Sequence, residues 1–214
     1  MKNWLKVLFF ALLVRPIVFF IIGLNVHHKK NLPAEGSAIL AANHNSHLDT
    51  LVLMSLFPLK QLYRLRPVAA ADYFMKNRWV RWFSLRVLNI IPLHRDGSIP
   101  KESLLSECHQ ALTDGDILIL FPEGSRGKPE QLGEFKKGIF HLANAHPTAK
   151  VIPVFTYGLG KSLPKGEKLL VPFFSDVVIG SPLDQHNDSQ TFMTALNQQM
   201  QQLAKQVNTG RILD

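Results

Sequence analysis

The run Ile117-Leu118-Ile119-Leu120-Phe121 is unbroken apolar sequence, set between the turn signal Thr113-Asp114-Gly115 and the breaker Pro122. A strand with no polar face needs cover on both sides, which a parallel sheet clad in helices provides. Shorter apolar or β-branched runs at 37–42, 66–71, 89–93, 151–155 and 173–179 read as its partners. Helical patterns fill the gaps at 48–56, 72–88, 98–112, from Phe135-Lys136-Lys137-Gly138 onward, and at 188–207. The last carries Phe192, Leu196, Met200, Leu203 and Val207 at three- and four-residue steps, a core-facing stripe. Strands alternating with helices predict an α/β fold with a mostly parallel central sheet flanked by helices. At 214 residues, this is one domain with an appendage: an N-terminal segment 1–30 and a main domain 31–214. Residues 25–36, with Pro33 and Gly36, read as a polar connector.

The N-terminal segment is apolar over 4–24 except for Lys6 and Arg15-Pro16. Its length suits a membrane span of about 20 residues. Its middle does not, because arginine at mid-bilayer is costly and proline interrupts a helix. Lys2 and Lys6 precede it and His27-His28-Lys29-Lys30 follow, so positive charge places both ends on the cytoplasmic side. Two short helices kinked at Arg15-Pro16 and seated in one leaflet satisfy these constraints. A signal peptide lacks its small-residue cleavage site here, and a buried core helix is the other competing reading. The net charge of +8 and pI near 9.7 direct the surface towards anions. Trp79, Trp82 and Phe83 interleaved with Lys76, Arg78, Arg81 and Arg86 suit lipid headgroups or stacked bases, and a core helix with a solvated basic face is the plain alternative. No nucleic-acid motif accompanies them. The single cysteine, Cys108, excludes an internal disulfide and sits among apolar residues as a core position.

Asn43-His44-Asn45-Ser46-His47-Leu48-Asp49 ends the apolar run 37–42 and opens a helix. Ser46 followed three residues later by Asp49 approximates a capping box. With His44 in the turn and Asp49 in the first helical turn, the carboxylate reaches back to the imidazole. That contact fixes one tautomer and leaves the other ring nitrogen as a general base. Simple packing and capping is the plain alternative. A metal site on His44, His47 and Asp49 is a second, although H-x-x-H-x-D is not the H-E-x-x-H zinc pattern. Pro122-Glu123-Gly124-Ser125-Arg126-Gly127 follows the central strand, at the end where open α/β sheets place ligand groups. Its serine is not in the G-x-S-x-G setting of a nucleophile elbow.

Together these blocks resemble the glycerolipid acyltransferases of the 1-acylglycerol-3-phosphate (lysophosphatidate) acyltransferase type. Asn43 to Asp49 is similar to their N-H-x-x-x-x-D block, 91–95 to the second block ending in Arg95, and Phe121 to Arg126 to F-P-E-G-T-R. Val151-Ile152-Pro153-Val154 resembles the fourth block. The resemblance implies His44 as general base, Asp49 as its orienting partner, and Glu123, Gly124, Ser125 and Arg126 with Arg95 as binders of a phosphorylated acceptor. It implies acyl-CoA or acyl-carrier protein as co-substrate, no metal and no other cofactor. The product would be phosphatidate, made at the cytoplasmic face of a membrane with an anionic lipid surface as partner. Three departures stand out: Ser125 replaces threonine, the second block has Pro92 where an aromatic is common and Asn89 where glycine is common, and Ala70-Ala71-Asp72 stands where an Ala-Lys pair is common, with Lys76 as the nearest lysine. Two other functions fit the residues: an acyltransferase for a different lysolipid, and a non-catalytic basic protein binding anionic lipid or nucleic acid.

Overall fold

The computed structural model describes residues 4–75, 77–94, 100, 103–127, 131–162, 174–185 and 187–208. Seven strands form one sheet: β1 (Leu24–His27), β2 (Ala38–Ala42), β3 (Leu65–Ala70), β4 (Ile91–Leu93), β5 (Ile117–Leu120), β6 (Lys150–Tyr157) and β7 (Ser175–Ile179), in the order β1-β7-β6-β2-β5-β3-β4. All pairings are parallel except β6 with β7. The sheet is therefore mostly parallel and flanked by helices, as the apolar central strand requires.

Alternation along each strand sorts side chains into two cores. Ala38, Leu40, Ala42, Ile117 and Ile119 face one layer, which holds the N-terminal helix and α2 (Leu48–Ser55). Ile39, Ala41, Leu118 and Leu120 face the other. That layer is built by α5 (Ser106–Thr113), α6 (Gly138–Ala145) and α8 (Ser189–Asn208), and α7 (Leu159–Ser162) is a short turn after β6. Phe192, Leu196, Met200 and Leu203 are buried as the stripe on α8 predicts, and Val207 packs at the margin. Cys108 is fully buried in this second core, and burial pushes its thiol up to about 12.

Three local expectations are corrected. The polar connector contains all of β1 but Leu24, and the pairing of β1 with β7 is reinforced by His27 Nε2 and Asp176 Oδ1 at 3.1 Å. The helix expected over 72–88 is two, α3 (Ala71–Phe74) and α4 (Arg78–Arg86). Asn77 divides them, its Oδ1 accepting the N–H groups of Trp79 and Val80 as an N-cap. The tryptophans of α4 are not core residues, since Trp79 and Trp82 are exposed while Phe83 packs edge-on against Phe9 of the N-terminal helix. Part of the span expected as helix over 98–112 lies outside the described residues, and α5 begins at Ser106.

The expected break at Arg15-Pro16 is absent. α1 (Trp4–Phe9) continues through Phe10–Val14 and Ile17–Ile21 as one helix, Trp4–Ile21, and Pro16 has helical angles of φ −56° and ψ −44°. The two later pieces are wider i→i+5 turns, which explains both this tolerance and the burial pattern. Lys6, Phe10, Val14, Val18 and Ile22 are buried at a strict four-residue step. On a 3.6-residue helix that step drifts around the axis, and wider turns hold it on one face. Both cations in the segment face inward. Lys6 Nζ donates to the carbonyls of Leu65 at 3.0 Å and Leu88 at 3.1 Å, and Arg15 Nη2 donates to Phe57 O at 2.5 Å. Burial, with Arg66 nearby and Asp116 opposing, lowers the Lys6 ammonium to about 7, yet the neutral amine retains two N–H donors. The outer face is apolar, with Leu12 and Phe20 the most exposed at 74% and 87%.

Lys6→Ala leaves two buried carbonyls without these donors, so stability should fall by about 2–4 kcal/mol, read from denaturant unfolding in detergent. A change below about 0.5 kcal/mol would show that the amine does not pin the helix.

Candidate active site

The sheet order explains why blocks far apart in sequence meet. β2 lies between β5 and β6, with Ala41 opposite both Leu120 and Pro153. The chain leaves these three parallel strands at the same edge, where open sheets bind ligands. Just beyond β2, buried Asn43 is bonded to the end of β6. Its Nδ2–H donates to Thr156 O at 2.9 Å, and its Oδ1 accepts from Thr156 N–H at 2.7 Å and Oγ1–H at 3.2 Å. The amide thus fixes the start of the β2–α2 loop.

Asp49 organises that loop. Its Oδ2 accepts from His44 Nδ1–H at 2.9 Å and from the backbone N–H groups of Asn45 at 2.7 Å and Ser46 at 2.8 Å. The Ser46 contact is one half of the capping box, and Leu48 N–H bonds Ser46 Oγ at 3.3 Å. Three donors and the first turn of α2 offset the cost of a fully buried carboxylate. Because the carboxylate only accepts, His44 carries hydrogen on Nδ1, and Nε2 is its basic nitrogen. The imidazole stacks on Phe121, with centroids 4.1 Å apart and planes 21° from parallel, and its side chain is 21% exposed.

The turn after β5 wraps the same histidine. His44 N–H donates to Glu123 Oε1 at 3.3 Å, and Gly127 N–H donates to His44 O at 3.0 Å. Glu123 is buried, and burial raises its carboxyl above the usual range against the favourable His44 contacts. Its Oε2 lies 3.1 and 3.0 Å from where a Cβ would stand on Gly127 and Gly133. Gly124 has φ +73°, and a Cβ there would meet Lys136 Nζ at 2.8 Å. Ser125 is exposed and Arg126 half-buried. Arg126 Nη1–H donates to His47 Nε2, and its guanidinium lies over the Tyr73 ring at 5.3 Å. Burial, Arg126 and His44 hold His47 below its ordinary pKa, with Asp49 opposing.

Of the residues expected at the site, His44, Asp49, Glu123, Gly124, Ser125 and Arg126 meet in these two loops. Arg95 and Lys76 lie outside the described residues. Sequence reading missed Tyr73, the contact of Lys136 with Gly124, and the Asn43–Thr156 bonds. It offered His47 only as a metal ligand. Among the described residues, no three His, Cys, Asp or Glu side chains gather to hold a metal ion.

The family described as Acyltransferase matches residues 23–157, which contain both loops and the strands beneath them. The chain belongs to the acyltransferase family. It is 30% identical over 146 residues to a chloroplastic 1-acyl-sn-glycerol-3-phosphate acyltransferase of Arabidopsis thaliana, covering 68% of this chain and 39% of that protein. It is 27% identical over 192 residues to the 1-acyl-sn-glycerol-3-phosphate acyltransferase of Bacillus subtilis, covering 86% and 88%. The chain spans under two fifths of the chloroplast relatives it matches, at 39% and 38%. The crystal structure of the 1-acyl-sn-glycerophosphate acyltransferase PlsC of Thermotoga maritima superposes with a TM-score of 0.77 at 22% identity, over 96% of this acyltransferase chain and 79% of that one. That likeness shows the shared fold.

Asn43→Ala strips the buried N–H and C=O of Thr156 of their side-chain partner and should cost about 2–4 kcal/mol. Unfolding in urea checks this, and wild-type stability would mean the amide is not the tie between β2 and β6.

Proposed function

We propose that this acyltransferase moves a fatty acyl group from an acyl thioester, acyl-CoA or acyl-carrier protein, to the sn-2 hydroxyl of 1-acylglycerol-3-phosphate, giving phosphatidate. The observation that carries the reading is His44 with Nδ1 tied to the buried Asp49 carboxylate, an arrangement that lipid binding alone does not need. His44 Nε2 takes the proton of the acceptor hydroxyl as its oxygen attacks the thioester carbonyl carbon. The C–S bond then breaks, and the departing thiolate receives the proton. Asp49 keeps the tautomer and steadies the imidazolium. Arg126 grips the acceptor phosphate, its planar fork suited to two phosphate oxygens, with Ser125 at the rim. Glu123 and Gly124 act from beneath, setting the loop that carries Arg126 against His44. Arg95 is assigned to the same phosphate by its place in the second block. The names of the relatives support the acceptor.

The same proposal places the protein on the cytoplasmic face of a membrane, seated in one leaflet. With Lys6 and Arg15 donating inward, the outer face of Trp4–Ile21 presents apolar side chains, with the amphipathic Trp4 indole at its start, as a lipid surface requires. Beside it, Trp79 and Trp82 with Arg78 and Arg81 suit the headgroup layer and anionic lipid.

His44→Ala should slow acyl transfer to lysophosphatidate roughly 10²–10⁴-fold while the folded protein remains membrane-bound. Asp49→Asn should be comparably severe, since the amide favours the wrong tautomer. Near-normal turnover by His44→Ala would defeat the mechanism. On membranes, high salt should release little protein and detergent most of it. Labelling that places residues 2 and 30 on opposite sides of the bilayer would defeat the one-leaflet seat.

A further inference from the structure

Arg126 is held in an unusual way for a residue that must bind an anion. Among the described residues it makes no ion pair with a carboxylate. Its supports are an imidazole and a phenol from two other segments. His47, in the β2–α2 loop, offers Nε2 to the Nη1–H of Arg126. Tyr73, on α3, lies with its ring under the guanidinium. Its Oη stands 2.9 Å from His47 Nδ1 and 3.0 Å from Nε2, with the two rings 5.1 Å apart. A carboxylate in either place would orient the arginine and cancel the charge it needs for a ligand. A neutral acceptor and an aromatic face orient it and leave the charge available.

Resting on the reaction proposed above, we propose that His47 and Tyr73 are positioning residues that hold Arg126 for a phosphate-bearing acceptor without neutralising it. The hydrogen count constrains the arrangement. Arginine only donates, so His47 Nε2 must be the bare nitrogen and Nδ1 must carry the hydrogen. A protonated His47 has no lone pair for Arg126 and faces it as a like charge. The groups around His47 are Arg126 from the β5 loop, Tyr73 from α3, and His44 and Asp49 from its own loop and helix. Burial, then Arg126 and His44, disfavour the proton and Asp49 favours it, with the balance below the ordinary histidine value. The arginine is therefore held at neutral pH and released as the medium becomes acidic.

The test measures kcat and KM with the full-length protein in detergent for lysophosphatidate and for monoacylglycerol, which lacks phosphate. His47→Ala and Tyr73→Ala should each raise the lysophosphatidate KM about tenfold and change kcat and monoacylglycerol use far less. His47→Gln retains an acceptor that cannot be protonated, so it should recover most of the affinity. It should also lose the part of the acid rise in KM that the wild type owes to His47. The second ionisation of the phosphate falls in the same range but is common to both proteins, so the difference between them isolates the histidine. Independently of activity, ¹⁵N imidazole spectra should show His47, assigned by the signal missing from His47→Gln, as the Nδ1–H tautomer at pH 8. An Nε2–H tautomer, a lysophosphatidate KM within twofold of wild type in both alanine variants, or a loss confined to kcat would overturn the proposal. A wild type that leaves lysophosphatidate unacylated counts against the reaction, while the tautomer still decides how Arg126 is held.

Discussion

One buried carboxylate oxygen, Oδ2 of Asp49, sets the geometry of the site. By accepting from the His44 ring and from two successive backbone amides, it converts a flexible strand-to-helix turn into a fixed one. The same contacts start α2, orient the imidazole and assign its tautomer. A buried charge is costly unless its donors are complete and well placed. All three donors converge on Oδ2, while Oδ1 is buried without a partner among the described residues, so any shape of the loop that released these donors would strand both oxygens. Glu123 performs a related task from the opposite loop. It bonds the His44 backbone while Gly127 and Gly133 give it room, so the two blocks are joined through one histidine.

Sheet topology brings the parts together. With β2 between β5 and β6, the loops that follow the first and third blocks leave neighbouring strands at one edge. β4, which forms the start of the second block, lies two strands from β5 on the far side of β3. The N-terminal helix lies on the sheet face that also carries α2, and its inward stripe is part of the same core. Its two cations donate to backbone carbonyls of the domain. One set of contacts thus fixes the helix to the layer that carries α2 and turns its two cations away from the surface proposed to meet lipid.

The fold class was legible because it follows from solvation. An all-apolar strand flanked by turn signals has few places to go besides the middle of a covered sheet, and the α8 stripe marks its partner layer. The His44–Asp49 contact was legible for a similar reason, since both ends of it lie within one turn of chain. Features set by tertiary contact were not legible. β1 is an edge strand in polar sequence, stabilised by pairing with β7 far along the chain. Continuity through Pro16 depends on widened turns that hold a four-residue stripe against the domain. The contacts of Arg126 with His47 and Tyr73 join three separate segments, and no local spacing announces them. Asn77 was readable as an N-cap but was absorbed into a longer helical pattern.

An oriented histidine base is proposed to serve a phosphate-bearing lysolipid at a membrane surface. The most direct test is acyl transfer by the purified wild-type protein across lysophosphatidate, lysophosphatidylcholine and monoacylglycerol, each with acyl-CoA and with acyl-carrier protein. The expected result is phosphatidate formation that exceeds the other products with at least one donor. Transfer to none of the three acceptors with either donor, or preferred acylation of the phosphate-free one, would contradict it.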